Sequence, residues 1–319
     1  MTAVVYLGPS LPLDEARAIL PDAIYLPPVA QGDVLSLVER EHERPDVIGI
    51  VDGVFYLQPP IWHKEILYAL ELGIPVYGAS SMGALRAAEC DRFGMIGVGE
   101  VYRSYASGEL SDDDDVALVY GDAQHGWPAT SEPLVNVRAT LAAEVASGRL
   151  SEVAERAVIA SAKRLWFPER RRASILAAAR EDGLGKSDLA IVTDALEHRY
   201  VDVKKSDARA LLETLRDRDP SEKPAPFTFD RSIVFLAFTE RDRQVSHGGL
   251  PIRLEEIKRH AAVEHPGFAE ILDRALDRLL VTELARVWEV EPTEAEIDDE
   301  IERLRWRFRI GEGDDAIAA

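Results

Sequence analysis

The segment Gly73–Glu89, GIPVYGASSMGALRAAE, places two serines in a turn between an apolar strand and a helix predicted at 82–92. A serine on a tight strand-to-helix turn is held out toward a ligand, as in the G-x-S-x-G nucleophile elbow. The match to that motif is partial, because Ala79 occupies its first glycine position. Ser81, or alternatively Ser80, is therefore a candidate nucleophile. A simple helix cap is the other interpretation of the two serines.

A serine that attacks a carbonyl group also needs donors for the oxyanion that forms. Met82 and Gly83 begin the predicted helix, where backbone amides without helical partners can receive negative charge. The sequence therefore predicts an oxyanion site at the amides of Met82 and Gly83.

The base that would activate the serine is predicted to be Lys64. The chain strongly prefers arginine, and Lys64 is its only lysine before Lys163. Lysine can lose its proton when it is desolvated, whereas arginine cannot. Neutrality near pH 7 requires its pKa to fall from about 10.4 to about 7, roughly 4 kcal/mol, so burial must act together with the helix dipole. A solvated lysine, or one paired with Asp52 or Glu65, is the alternative.

The elements that carry these side chains alternate between strand and helix in the first third of the chain. Strands are predicted at 3–7, 23–26, 46–51 and 75–77, and helices at 13–20, 34–41, 61–72 and 82–92. This order predicts an α/β fold, with a parallel sheet and right-handed crossover helices. Because the carboxyl ends of parallel strands share one edge, we expect Asp52, Lys64 and the serine pair to meet there.

Beyond about residue 130 the sequence becomes mostly helical. Helices are predicted near 133–148, 151–165, 169–182, 206–218, 252–262, 267–286 and 293–308. We therefore divide the chain into an N-terminal α/β core, residues 1–130, and a mostly α-helical C-terminal region, residues 131–319. Residues 219–228 are the candidate linker within that helical region.

The composition excludes several classes of protein. The 319 residues carry a formal net charge of −20, and such an acidic surface repels the phosphate backbone of nucleic acids. The single cysteine, Cys90, excludes an internal disulfide and a cysteine-rich metal site, and it fits a reducing compartment. The longest strongly apolar run, Ile233–Phe238, is too short to span a bilayer. We therefore expect a cytoplasmic protein that binds neither membranes nor nucleic acid.

The acidic run Asp112–Asp115 invites a metal interpretation, but it lacks the alternating ligands and closing glutamate of a calcium loop. A helix cap or a contact with a basic partner is favoured over magnesium. Arg170–Arg172 is typical of a solvated helix face. The chain also lacks a dinucleotide fingerprint and a phosphate loop of the G-x-x-x-x-G-K type, so we predict no metal and no cofactor.

Several motifs together resemble the TfuA-like protein family. They are DGVF (52–55), PPIWHKEILYAL (59–70), VYGASSMGALRAAE (76–89), GMIGVG (94–99) and DDVA (114–117). SEPLVNVR (131–138) looks like a continuation of the same core, and GPSL (8–11) is a weaker match. The resemblance covers roughly residues 46–140 and implies nothing about the helical remainder.

The resemblance implies a reaction and its partners. TfuA-like proteins accompany YcaO enzymes, which use ATP to activate a peptide backbone amide for thioamide formation. By this resemblance the chain hydrolyses a thiocarboxylated, ubiquitin-like sulfur carrier of the ThiS type, and the sulfide goes to YcaO for modification of its peptide substrate. The Ser-Lys pair of the family falls on Ser81 and Lys64, with Ser80 as the alternative nucleophile.

Asp52, Glu65 and Arg86 are candidates for supporting roles. We expect them to orient Lys64, to hold the C-terminal tail of the carrier or to complete ion pairs. A different class of function is also open, since the acidic surface and long helical half suit a non-catalytic adaptor that recruits the carrier or the peptide to YcaO. A magnesium- or nucleotide-binding enzyme built on Asp112–Asp115 is a more distant alternative.

Overall fold

The architecture is taken from a computed structural model of the chain. The structure describes residues 2–39, 44–55, 58–242, 244–247, 250–253, 260, 267–287, 293, 297–298, 301 and 303. It contains two compact units, Met1–Asp242 and Arg243–Ala319. The division predicted at residue 130 does not coincide with this boundary, because the sheet and the helices that follow it belong to the first unit.

Five parallel strands form the sheet of the first unit. They are β1 (Ala3–Tyr6), β2 (Ile24–Leu26), β3 (Val47–Ile50), β4 (Val76–Ala79) and β5 (Ile96–Val98). The strand order is β2-β1-β3-β4-β5, so the direction of winding reverses between β1 and β3. The predicted α/β fold class is confirmed, and β5 is an addition that lies in the glycine-rich stretch 94–99.

Helices cover both faces of this sheet. They are α1 (Leu13–Ile19), α2 (Asp33–Val38), α3 (His63–Glu71), α4 (Met82–Cys90), α5 (Glu100–Ala106) and, much later in the chain, α10 (Val203–Asp217). One face buries Val5 and Tyr77 in a cluster with Leu211 and Leu215 of α10. The opposite face buries Ile48 in a cluster with side chains of α2, α3 and α4. Both faces are therefore apolar, as is typical of a buried parallel sheet.

Four helices form a third apolar cluster of the same unit. They are α6 (Leu134–Ala146), α7 (Glu152–Arg164), α8 (Arg172–Glu181) and α9 (Lys186–His198). The carboxylate of Asp202 then accepts a hydrogen bond from the amide of Lys205 across 2.9 Å and caps α10. This cap fixes the start of α10 and places Lys204 in its first turn.

Several elements differ from the sequence prediction. The prediction lacks α5, α9, α11 (Ile233–Asp242) and an antiparallel hairpin of β6 (Gln244–His247) and β7 (Leu250–Arg253). β7 overlaps the helix predicted at 252–262, and a Gly-Gly pair between two short β-prone runs is the hairpin signal that this prediction overlooked. Beyond β7, the helix predicted at 252–262 lies outside the described residues except for His260. Most of the helix predicted at 293–308 also lies outside the described residues. The linker predicted at 219–228 contains no helix or strand and connects α10 with α11.

The second unit contains the β6-β7 hairpin and α12 (Phe268–Val287), which confirms the helix predicted at 267–286. Acidic and basic residues recur along α12, as in FAEILDRALDRLLVTELARV. Within the part of the chain that the structure describes, no helix combines the length and apolar character needed to cross a bilayer.

Candidate active site

The two serines lie in a tight turn at the carboxyl end of β4. Ser80 has a positive φ of 68°, and the amide of Ser81 donates a hydrogen bond to the carbonyl of Ala79 across 2.8 Å. A non-glycine residue in this left-handed region costs on the order of 1–3 kcal/mol, so the surrounding packing must hold the turn. Gly83 permits that packing, because a Cβ at this position would overlap the carbonyl of Ile50. The strained strand-to-helix turn expected from the sequence is thus present.

Ser81 lies beside a lysine that the sequence analysis did not select. The Nζ of Lys204 donates hydrogen bonds to the Oγ of Ser81 across 3.0 Å and to the carbonyl of Val116 across 2.9 Å. Ser81 is 3% exposed and Lys204 is 2% exposed. Burial lowers the pKa of Lys204, and the negative charges of Asp52 and Asp202 act in the opposite direction. A lowered pKa favours the neutral form of the amine, which is the form that a general base requires.

The predicted pairing of Lys64 with Ser81 is replaced by another contact. The Nζ of Lys64 donates hydrogen bonds to the carbonyl of Asp230 across 3.1 Å and to the Oγ of Ser232 across 3.0 Å. Both acceptors lie immediately before α11, so Lys64 joins the first turn of α3 to the segment that enters α11. The amine beside Ser81 comes from α10 instead.

One signal in the sequence could have identified Lys204. The buried positions of α10 are Lys204, Asp207, Ala208, Leu211, Leu212 and Leu215. Their spacing of three and four residues is the core-facing stripe of an amphipathic helix. A lysine in such a stripe is buried, and a buried lysine is a candidate for a shifted pKa and a chemical role.

Ser80 differs from Ser81 in its contacts. Its hydroxyl is fully buried, and no described residue forms a hydrogen bond with it. The serine that the amine contacts is Ser81. Ser81 is therefore the better-connected nucleophile candidate of the two.

Asp52 lies at the end of β3 and is held by the loop that follows β1. Its Oδ2 accepts hydrogen bonds from the amides of Gly8 across 2.9 Å and Ser10 across 3.1 Å, and its Oδ1 accepts one from the hydroxyl of Ser10 across 2.6 Å. The GPSL motif therefore wraps a buried carboxylate at the point where the winding of the sheet reverses. In the described structure no hydrogen bond or salt bridge joins Asp52 to Lys64, and its charge acts on Lys204 instead.

Glu65 holds helix ends together rather than orienting Lys64. Its carboxylate accepts hydrogen bonds from the amides of Gly32 and Leu35 at the start of α2, and from the amide of Trp62 at the start of α3. Burial raises the pKa of Glu65 to about 7, and these three amides partly offset the effect of burial. The carboxylate thus supports the scaffold below the site.

Arg86 is also engaged within the scaffold. Its Nε donates to the carbonyl of Ile61 across 3.0 Å, and its Nη1 donates to Glu89 across 2.7 Å. These contacts complete an ion pair, one of the roles expected from the sequence, and they leave Arg86 only 8% exposed.

The two amides predicted to bind an oxyanion are not equivalent. The amide of Gly83 donates to the carbonyl of Val51 across 3.3 Å. No described residue accepts a hydrogen bond from the amide of Met82. Since an oxyanion requires a donor that is free to turn toward it, Met82 is the stronger candidate.

The acidic run 112–115 is neutralised by basic side chains. Lys163 forms salt bridges with three of its carboxylates, and the fully buried Arg170 donates to Asp114 across 2.7 Å. Three of the carboxylates lie close enough to share a metal ion, but these cations already occupy them. The run also precedes Val116 directly, so the ion pairs fix the carbonyl that binds Lys204.

A cleft of about 350 Å³ opens beside Lys204. Ser10, Asn136 and Tyr200 contribute polar groups to its lining, and Arg171 contributes a guanidinium. Lys204 lines this cleft and its amine contacts Ser81, which lies behind the lysine and is not itself part of the lining.

The site thus combines a doubly wound α/β sheet with a buried serine and a buried lysine at its carboxyl edge. Residues 52–171 match the model of the TfuA-like protein family, which confirms the resemblance seen in the motifs over that part of the chain. The match includes Ser81 but ends before Lys204. The comparison with curated proteins found no match.

Proposed function

We propose that this protein hydrolyses a thiocarboxylated, ubiquitin-like sulfur carrier of the ThiS type, with Ser81 as the nucleophile and Lys204 as the base. The TfuA-like family is associated with YcaO-type peptide thioamidation, and the sulfide released here would serve a YcaO enzyme. The observation that supports hydrolysis is the contact of 3.0 Å between the buried amine of Lys204 and the Oγ of Ser81. A neutral amine at this distance can take the hydroxyl proton as the oxygen attacks.

The first half of the reaction forms an acyl-enzyme. Lys204 accepts the hydroxyl proton of Ser81, and the Oγ forms a bond to the carbonyl carbon of the thiocarboxylate. The amide of Met82 donates to the resulting oxyanion. The Lys204 ammonium then gives its proton to sulfur, the carbon–sulfur bond breaks, and hydrosulfide leaves.

The second half of the reaction releases the carrier. Lys204 takes a proton from water, and the hydroxide oxygen attacks the ester carbon. The ester bond to Ser81 breaks, the Oγ recovers its proton from Lys204, and the carrier leaves as a carboxylic acid that loses its proton to the solvent, where the hydrosulfide takes up a proton. The net change is thiocarboxylate plus water to carboxylate plus hydrogen sulfide.

The adaptor is the second candidate function, and one observation favours it. α12 exposes a row of large apolar side chains, Ile271, Leu276, Leu280 and Leu284, each between 45% and 57% exposed. Exposed apolar rows of this kind are typical of surfaces that bind another protein. An adaptor would use such a surface to recruit the carrier or the peptide to YcaO.

Sulfide release separates these functions. The purified chain is incubated with a thiocarboxylated ThiS-type carrier, without YcaO, and sulfide is measured over time. The hydrolase predicts catalytic release that is lost in Ser81→Ala. The adaptor predicts negligible release by every variant, together with stimulation of thioamide formation when YcaO is added. Loss of release in EDTA and in Asp114→Ala, with Ser81→Ala unaffected, would instead indicate a metal enzyme.

A further inference from the structure

The three arginines at 170–172 have three different environments. Arg170 is fully buried and donates to Asp114. Arg172 donates to Glu132 across 2.8 Å. Arg171 is exposed and lines the cleft beside the candidate base, and no described residue forms a hydrogen bond or ion pair with its guanidinium. The arginine run is therefore not a uniformly solvated face.

The other charges of the cleft lining are already paired. Glu132 accepts hydrogen bonds from Arg172 and from the hydroxyl of Tyr200, across 2.8 Å and 2.5 Å. Asp202 accepts a hydrogen bond from the side-chain amide of Asn136 and caps α10. Arg171 is thus the charged group of this lining without a described partner, in a protein whose net charge is −20.

We infer that Arg171 binds the anionic C-terminal group of the acyl substrate. This inference rests on the proposed function. A thiocarboxylate is negatively charged at neutral pH, so the attack of an alkoxide on it brings two negative charges together. A guanidinium is always protonated, and its planar fork matches a two-atom anionic head group.

Lys204 cannot supply that charge, because the same amine must be neutral to act as a base. Two basic residues of the cleft lining therefore have separate tasks. Lys204 moves the proton, and Arg171 holds and partly neutralises the substrate anion. Loss of Arg171 should therefore weaken the binding of anionic carrier tails more than it slows proton transfer.

The test compares binding of one carrier in three forms. A ThiS-type carrier ending in a thiocarboxylate, a carboxylate or a neutral amide is titrated calorimetrically into the full chain carrying Ser81→Ala, which prevents turnover. Adding Arg171→Ala should raise the dissociation constants of both anionic forms by about tenfold, leave the amide form unchanged, and have a smaller effect as Arg171→Lys. Arg180→Ala is the matched control, because Arg180 is an exposed arginine of α8 that does not line the cleft.

Each outcome decides the inference. An unchanged affinity in Arg171→Ala, equal weakening of the amide form, or an equal effect of Arg180→Ala would overturn it. Selective weakening of the anionic forms supports it, even where the chain with Ser81 intact releases no sulfide and the hydrolytic proposal fails. If sulfide is released and Arg171→Ala leaves its KM unchanged, hydrolysis stands and the role of Arg171 is rejected.

Discussion

At the scale of single residues, the proposed chemistry depends on the protonation of Lys204. Burial lowers the pKa of this lysine, and the buried charge of Asp52 acts against that effect. The rate of sulfide release should therefore rise with pH through the lowered pKa and become constant above it. The two buried groups together set the pH at which the base becomes available.

Asp52→Asn tests this electrostatic coupling. The amide can keep the loop in place, because its oxygen can accept from the amides of Gly8 and Ser10 while its nitrogen donates to the hydroxyl of Ser10. Without the negative charge, the pKa of Lys204 falls further, so the acid limb of kcat/KM should move to lower pH. A limb that stays in place, or moves to higher pH, would show that Asp52 does not act on the base.

The same pKa shift should be visible in stability. An unfolded lysine keeps a pKa near 10.4, so between the lowered pKa and about pH 10.4 the unfolded chain binds more protons at Lys204 than the folded protein does. The stability of the wild type should therefore rise with pH from the lowered pKa to about 10.4. Lys204→Met lacks this contribution. The wild type should therefore gain stability relative to the variant between pH 7 and pH 10, so the free energy of unfolding of the variant minus that of the wild type should decrease over this range.

Urea denaturation at several pH values measures that difference. Lys205→Met is the matched control, because Lys205 is a partly exposed neighbour that pairs with Glu15. A difference that is constant across the pH range for Lys204→Met would mean that the lysine has the same pKa in both states.

At the scale of elements, the position of Ser81 depends on how closely α4 approaches β3. A Cβ at Gly83 would overlap the backbone of Ile50, and a Cβ at Gly78 would overlap the backbone of Gly83. Backbone atoms cannot move aside as a flexible side chain can. The glycines of the GASSMG run therefore set the distance between the helix and the sheet.

Gly83→Ala should lift the start of α4 from the sheet and displace Ser81. We expect a loss of about 2–4 kcal/mol in the free energy of unfolding, together with loss of sulfide release. Gly185→Ala is the control, since Gly185 has a φ of −61° and a Cβ there would meet no atom closer than 3.9 Å. Wild-type stability and activity in Gly83→Ala would contradict this account of the turn.

Sequence patterns predict some of these helices and strands but not others. The first four strands follow from short apolar runs, whereas the three residues of β5 lie within the glycine-rich stretch 94–99, which masks the strand signal. The helix predicted at 206–218 is α10, but the structure begins it at Val203, and the first turn left out of the prediction contains Lys204. Local patterns give the helix, while the cap by Asp202 decides where it starts.

At the scale of the whole molecule, the candidate pair joins distant parts of the chain. Ser81 and Lys204 are 123 residues apart, and α10 brings the lysine to the carboxyl edge by packing its leucines on the sheet. Periodicity predicts that α10 has a buried face, but it does not predict which surface covers that face. Lys64 is the candidate that the sequence offers, because it is the only lysine before Lys163, yet its amine contacts the segment before α11.

The central claim is that Lys204, and not Lys64, serves Ser81. The measurement is the kcat for sulfide release from a thiocarboxylated carrier by the full chain carrying Lys204→Met or Lys64→Met, with folding checked by thermal denaturation. We predict that Lys204→Met lowers kcat by about a hundredfold or more, because it removes the general base. Lys64→Met should stay within about threefold of the wild type, since its contacts are partly exposed hydrogen bonds. A folded Lys204→Met variant with wild-type kcat, beside an inactive Lys64→Met variant, would contradict the account.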